Sequence, residues 1–269
     1  MAYRDEGQGH PIILIHGVPT SSWKYRSILP GLSENYRTIS VDLIGYGGSA
    51  KPKGNAAVYE PAAQARRIRE LARSLALSEY TLMFHDMGGL VAWEMLRQDR
   101  SSISNLIILN TIVREEGFEP PNFQPGVLTN SLSKAFASKW SNEVVLGFTL
   151  NSLGLHSSHK LNNSECYGYV EPLRGGSDEA LYQFYTSLNP SLYRRLEENK
   201  STFRRFKGRT LILWGGQDDV LTTNQIPFLT QHLRIPSKNV HIYPENGHFL
   251  AEEAPQEVVR QVTNFLREE

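Results

Sequence analysis

Short runs of apolar, largely β-branched residues recur along the chain, separated by helical patterns: Pro11–Ile15, Thr38–Val41, Thr81–Phe84, Leu106–Leu109, Thr210–Trp214 and Val240–Tyr243. Runs this short and this apolar read as strands buried on both faces, and their alternation with helices predicts a mostly parallel central sheet covered on both sides. Residues 62–77 place Ala65, Ile68, Leu71, Ala72 and Leu75 at helical spacing, the apolar face of an amphipathic helix. Gly88–Arg97 and Pro255–Leu266 carry the same pattern, and only Tyr3–Glu6 is available for a leading strand. The rhythm breaks between Val113 and Phe206, where Pro, Gly, Ser, Asn and aromatic residues mix with short helical patterns. The expected organisation is one α/β core, residues 1–112 and 207–269, interrupted by a largely helical insertion, residues 113–206.

Composition fits an ordinary globular chain. Of 269 residues, 40% are hydrophobic and 21% charged, and 28 basic residues balance 28 acidic ones. That balance gives no electrostatic footprint for nucleic acid or an anionic membrane. Cys166 is the single cysteine, so no internal disulfide can form and a cytosolic setting is expected. The polar start, Met1–Gly9, lacks the apolar stretch of a signal peptide, and no run approaches the roughly 18 apolar residues of a spanning helix.

The chemistry concentrates around Asp86. In the run Thr81-Leu-Met-Phe-His-Asp86-Met-Gly-Gly-Leu-Val-Ala-Trp93, an apolar strand turns into a helix with small residues just after the turn. That arrangement is a nucleophile elbow, and a carboxylate at its tip can attack carbon directly to form an ester. The alternative is a plain helix N-cap, for which aspartate is also favoured. Three further elements in chain order favour the elbow. His16-Gly17-Val18-Pro19 follows a strand, so that the backbone N–H groups of Val18 and Met87 can face a developing oxyanion. Asp218 follows the strand ending at Trp214 and can orient an imidazole, with Asp219 as its neighbour and rival. His248 lies on a loop after the last strand, which completes the order nucleophile, acid, base.

With these stretches in hand, the chain resembles the α/β-hydrolase superfamily over nearly its whole length, and specifically the aspartate-nucleophile branch that holds epoxide hydrolases and haloalkane dehalogenases. The matching segments are HGVPTSSWKYR (16–26), DLIGYGGS (42–49), HDMGGLVAW (85–93), WGGQD (214–218) and GHFLAEEAP (247–255). The resemblance implies an α/β-hydrolase fold, a mostly parallel sheet with helices on both faces and an inserted helical cap. It also implies a two-step reaction. Asp86 displaces a leaving group to give a covalent ester, and His248, oriented by Asp218, then activates the water that hydrolyses it. Neither a metal nor an organic cofactor is called for; the expected partners are a small apolar electrophile and water.

The leaving group is less clearly written. In haloalkane dehalogenases a tryptophan after the nucleophile and a polar side chain in the oxyanion loop grip halide, whereas this chain has Met87 and Val18; Trp140 in the insertion is a candidate donor. Epoxide hydrolases use cap tyrosines as proton donors, and the resemblance places Tyr193 in that role, with Tyr169 or Tyr167 as a partner. Tyrosines at helical spacing, Tyr182 and Tyr185 included, also serve as packing residues with one wet end. Fluoroacetate dehalogenases hold the substrate carboxylate with arginines just after the nucleophile, where Gly88 and Gly89 stand here. His85 is expected to pack beneath the elbow, His156, His159, His232 and His241 to lie on the surface or in loops, and Arg204, Arg205, Lys207 and Arg209 to form a solvated face. The expected function is epoxide hydrolysis, with haloalkane dehalogenation and a non-catalytic binder on the same scaffold as alternatives.

Overall fold

The computed structural model describes residues 1–114, 116–117, 155–156, 160–171, 180, 182–183 and 192–268, with residues 192–195 in backbone only. The apolar runs form strands β2 (Pro11–Ile15), β3 (Arg37–Val41), β4 (Tyr80–Asp86), β5 (Ile103–Thr111), β6 (Arg209–Gly215) and β7 (Val240–Tyr243). Among the described residues they join β1 (Tyr3–Glu6) in one seven-stranded sheet, in the order β1-β3-β2-β4-β5-β6-β7. Every pairing is parallel except the first, where β1 (Tyr3–Glu6) runs antiparallel to β3 with its side chains exposed. The sheet is therefore parallel where it is buried on both faces and antiparallel only at a polar edge.

The strand period of two divides the core. Ile13, Ile15, Leu82 and Phe84 face one side, packed under α2 (Pro61–Ser74), α3 (Gly88–Gln98) and α6 (Ile226–Leu233). Ile12, Leu14 and Met83 face the other, packed under α1 (Leu29–Ser33) and α8 (Pro255–Arg267). Each of these fully buried side chains stabilises the fold by roughly 1.5–3 kcal/mol relative to exposure. Within the inserted range, α4 (Asn163–Val170) buries Tyr169 and Val170. From α5 (Leu192–Arg205), Phe203 meets the rings of Trp93 at 4.6 Å and Phe228 at 6.2 Å.

Two strands run further than their apolar patterns suggested. β4 extends through Asp86 and β5 through Asn110 and Thr111, whose buried polar side chains are all hydrogen-bonded. The ladder continues because it pairs backbone groups whatever the side chain, and the polar side chains find partners at the carboxyl edge. Loops from that edge carry Val18, Asp218 and His248, which gathers the site residues at one end of the sheet. Among the described residues, no helix is long and apolar enough to cross a membrane.

Candidate active site

Asp86 sits at the turn from β4 into α3 with φ +54°, a left-handed conformation that costs a non-glycine residue free energy. The surroundings over-determine it. The Thr111 hydroxyl donates to the Asp86 carbonyl at 2.5 Å. A Cβ on Gly17 would lie 2.2 Å from Asp86 Oδ1, and one on Gly88 would lie 2.6 Å from the His16 carbonyl, so both glycines permit a close approach that alanine would block. The Val18 N–H donates to Asp86 Oδ1 at 2.8 Å, and the Met87 N–H donates to the same carboxyl group. Burial pushes the Asp86 carboxyl above the ordinary 3.8, while the neighbouring His248 and these two N–H groups act to keep it ionised.

His248 Nε2 lies 3.6 Å from Asp86 Oδ2, and its Nδ1 lies 2.7 Å from Asp218 Oδ2. Burial alone would pull the imidazole down, but Asp218 and Asp86 overcome it and its pKa lies above 6.5. Asp218 also accepts N–H bonds from Val220 and Leu221 at 2.9 Å and one from Asn110 Nδ2 at 2.8 Å. Burial would raise this carboxyl; the charge of His248 and the hydrogen bonds hold it below 3.8. Asp219 is exposed, so Asp218 faces the imidazole and its rival faces solvent.

The loop of residues 16–19 is braced by the segment after β3. His16 Nε2 accepts from the Leu43 N–H at 3.0 Å, which leaves Nδ1–H to donate to the Gly17 carbonyl at 2.7 Å. Asp42 in the DLIGYGGS segment accepts from the N–H groups of Ser22 and Gly48, tying that segment to the same loop. The His85 ring lies tilted against that of His248, centroids 4.5 Å apart, and its Nε2–H donates to the His248 carbonyl at 2.7 Å. Burial, helped by the charges of Lys24 and His248, keeps His85 well below 6.5 and neutral.

The structure therefore brings together Asp86, His248, Asp218, Val18 and Met87. Tyr169 is buried and its hydroxyl donates to Glu252, which also pairs with Arg26. Tyr167 is exposed. Tyr193 lies in α5 but its side chain is outside the described residues, as is all of Trp140. Trp23 Nε1–H donates to the Glu165 carbonyl and the Tyr25 hydroxyl to the Ile15 carbonyl, so both aromatics staple the fold. His232 is buried against the Phe228 ring rather than on the surface, because α6 turns it onto an aromatic face. Among the described residues, no three His, Cys, Asp or Glu side chains form a metal-holding group.

Asn110 and Lys24 were missed by sequence reasoning. The signal for Asn110 was a polar pair ending an otherwise apolar strand. Lys24, between two aromatics, reads in sequence as a surface residue.

A model of the alpha/beta hydrolase fold family matches residues 10–255. The chain is 27% identical to epoxide hydrolase 3 of Xenopus tropicalis, over 96% of this chain and 71% of that protein. It is 28% identical to a cis-3-alkyl-4-alkyloxetan-2-one decarboxylase of Shewanella oneidensis, over 99% of this chain and 85% of that one. It is 27% identical to haloalkane dehalogenase 2 of Mycobacterium bovis, over 97% of this chain and 89% of that one. With the model spanning most of the chain and these enzymes among its relatives, this protein belongs to the alpha/beta hydrolase fold family.

Proposed function

We propose that the chain is a hydrolase that works through a covalent ester on Asp86 and that its substrate is a small apolar epoxide, opened to a diol. The observation that carries this reading is the strained Asp86, with one carboxyl oxygen held by the Val18 N–H and the other facing His248 Nε2. A carboxylate is anionic at neutral pH and needs no base to attack carbon. Oδ2 opens the ring and becomes the ester oxygen. His248 then takes a proton from water as the water oxygen adds to the ester carbon, and Asp218 steadies the imidazolium. Oδ1 carries the charge of the tetrahedral species between the N–H groups of Val18 and Met87.

Ring opening needs a proton donor for the departing oxygen. The resemblance gives that role to Tyr193; the hydroxyl of Tyr169 is already engaged by Glu252. Two of the three relatives act, by their names, on strained oxygen rings, which supports an epoxide or a similar ring as substrate. A haloalkane is the second reading, supported by the dehalogenase relative. It is weakened because Met87 and Val18 offer halide no side-chain N–H.

A single turnover with enzyme in excess over styrene oxide, run in heavy-oxygen water, tests the ester. The label is expected in the peptide containing Asp86, with an unlabelled first product. Label in the first product and none in Asp86 would mean that water attacks the ring directly.

A further inference from the structure

Lys24 lies in the short 3-10 helix Ser22–Tyr25, and its side chain is completely buried. Among the described residues its ammonium makes no hydrogen bond; it lies 4.7 Å from the ring centroid of Tyr25 and 5.8 Å from that of Phe249. A buried ammonium without a hydrogen-bond acceptor is costly, and an apolar side chain of similar length would fill the space at less cost. Its neighbours point to a use. The Phe249 ring meets the His248 ring at 5.0 Å, and His85 lies against both. The titratable groups that feel Lys24 are Glu252 of α7 (Leu250–Glu253), already paired with Arg26, and Asp86, together with the imidazoles of His16, His85 and His248.

We infer that Lys24 is a positioning residue for the second half-reaction, its buried positive charge keeping His248 unprotonated once Asp86 has become a neutral ester. The inference rests on the ester reading above. In the resting site two carboxylates favour the imidazolium, and a protonated His248 cannot accept a proton. Esterification removes the charge of Asp86, while Glu252, the stronger of the two carboxylates that favour a charged Lys24, keeps its own, so the balance at His248 moves toward the free base when a base is required. The water oxygen then bonds to the ester carbon as one water proton passes to Nε2. When the ester C–O bond breaks, that proton leaves on the departing hydroxyl, and the second water proton is released as Asp86 returns to a carboxylate. Burial pulls Lys24 down to about 7, so its charge is fullest on the acid side of neutrality, where His248 would otherwise be protonated.

The test is an NMR titration of isotope-labelled histidine in the full chain, with the His248 signal assigned from His248→Gln. Lys24→Met and Lys24→Gln should each raise the His248 midpoint by about one pH unit. In rapid-quench experiments with styrene oxide, ester hydrolysis at pH 6 should slow about tenfold in both variants and recover at higher pH. A His248 midpoint that stays in place in either folded variant overturns the inference. A merely structural lysine would lower turnover equally at every pH. The titration needs no substrate, so a chain that turns over styrene oxide without forming an ester refutes the ester reading while the charge effect on His248 is still measured.

Discussion

On one side of His248, Asp218 is buried with both oxygens engaged: Val220 and Leu221 on Oδ1, Asn110 and His248 on Oδ2. Lys24, by contrast, is buried with its ammonium against the Tyr25 and Phe249 rings and, among the described residues, without a hydrogen-bond partner. The two charges meet opposite fates. Hydrogen bonds and the facing imidazole hold Asp218 ionised against burial, whereas burial pulls Lys24 from 10.5 to about 7. A charge solvated by the protein is fixed, and one left to aromatic rings becomes titratable.

The largest effect comes from spoiling the satisfied side. Asp218→Asn should lower turnover of styrene oxide by about a thousandfold or more while the chain stays folded, because an amide facing Nδ1 selects the wrong tautomer. Steady-state rates with circular dichroism check it.

The unsatisfied side predicts a gain. Between pH 7 and 10.5 the unfolded chain binds a proton at Lys24 that the folded chain does not, so stability rises with pH across that window. Lys24→Met removes the penalty. Its Tm should exceed that of the parent by roughly 5 °C at pH 6, with the gain shrinking as pH approaches 10, as thermal melts at several pH values would reveal. The smallest effect belongs to Tyr169→Phe, which loses one bond to Glu252. It should cost about 1 kcal/mol in denaturant melts and change styrene oxide turnover less than about threefold; a far larger loss of turnover would return Tyr169 to the ring-opening step.

The same contrast separates what the sequence could and could not disclose. Strands such as Pro11–Ile15 were legible because burial on both faces demands a continuous apolar run. Asp86, Asp218 and His248 were legible because the elbow and the strand-end loops place them by chain order. Asp218 was preferred with Asp219 left as its rival, since choosing between adjacent carboxylates depends on which one the loop after β6 turns inward. Lys24 was hidden for a deeper reason: a lone lysine between aromatics follows the pattern of an exposed residue, and only tertiary packing places its ammonium over the ring of Phe249.

The most direct test of the central claim is intact mass spectrometry of His248→Ala incubated with styrene oxide. With the base gone, the second step should stall. The account predicts an adduct carrying the whole epoxide mass that maps to Asp86. Epoxide turnover by the unaltered chain, with no adduct on Asp86 in the His248→Ala protein, would contradict it.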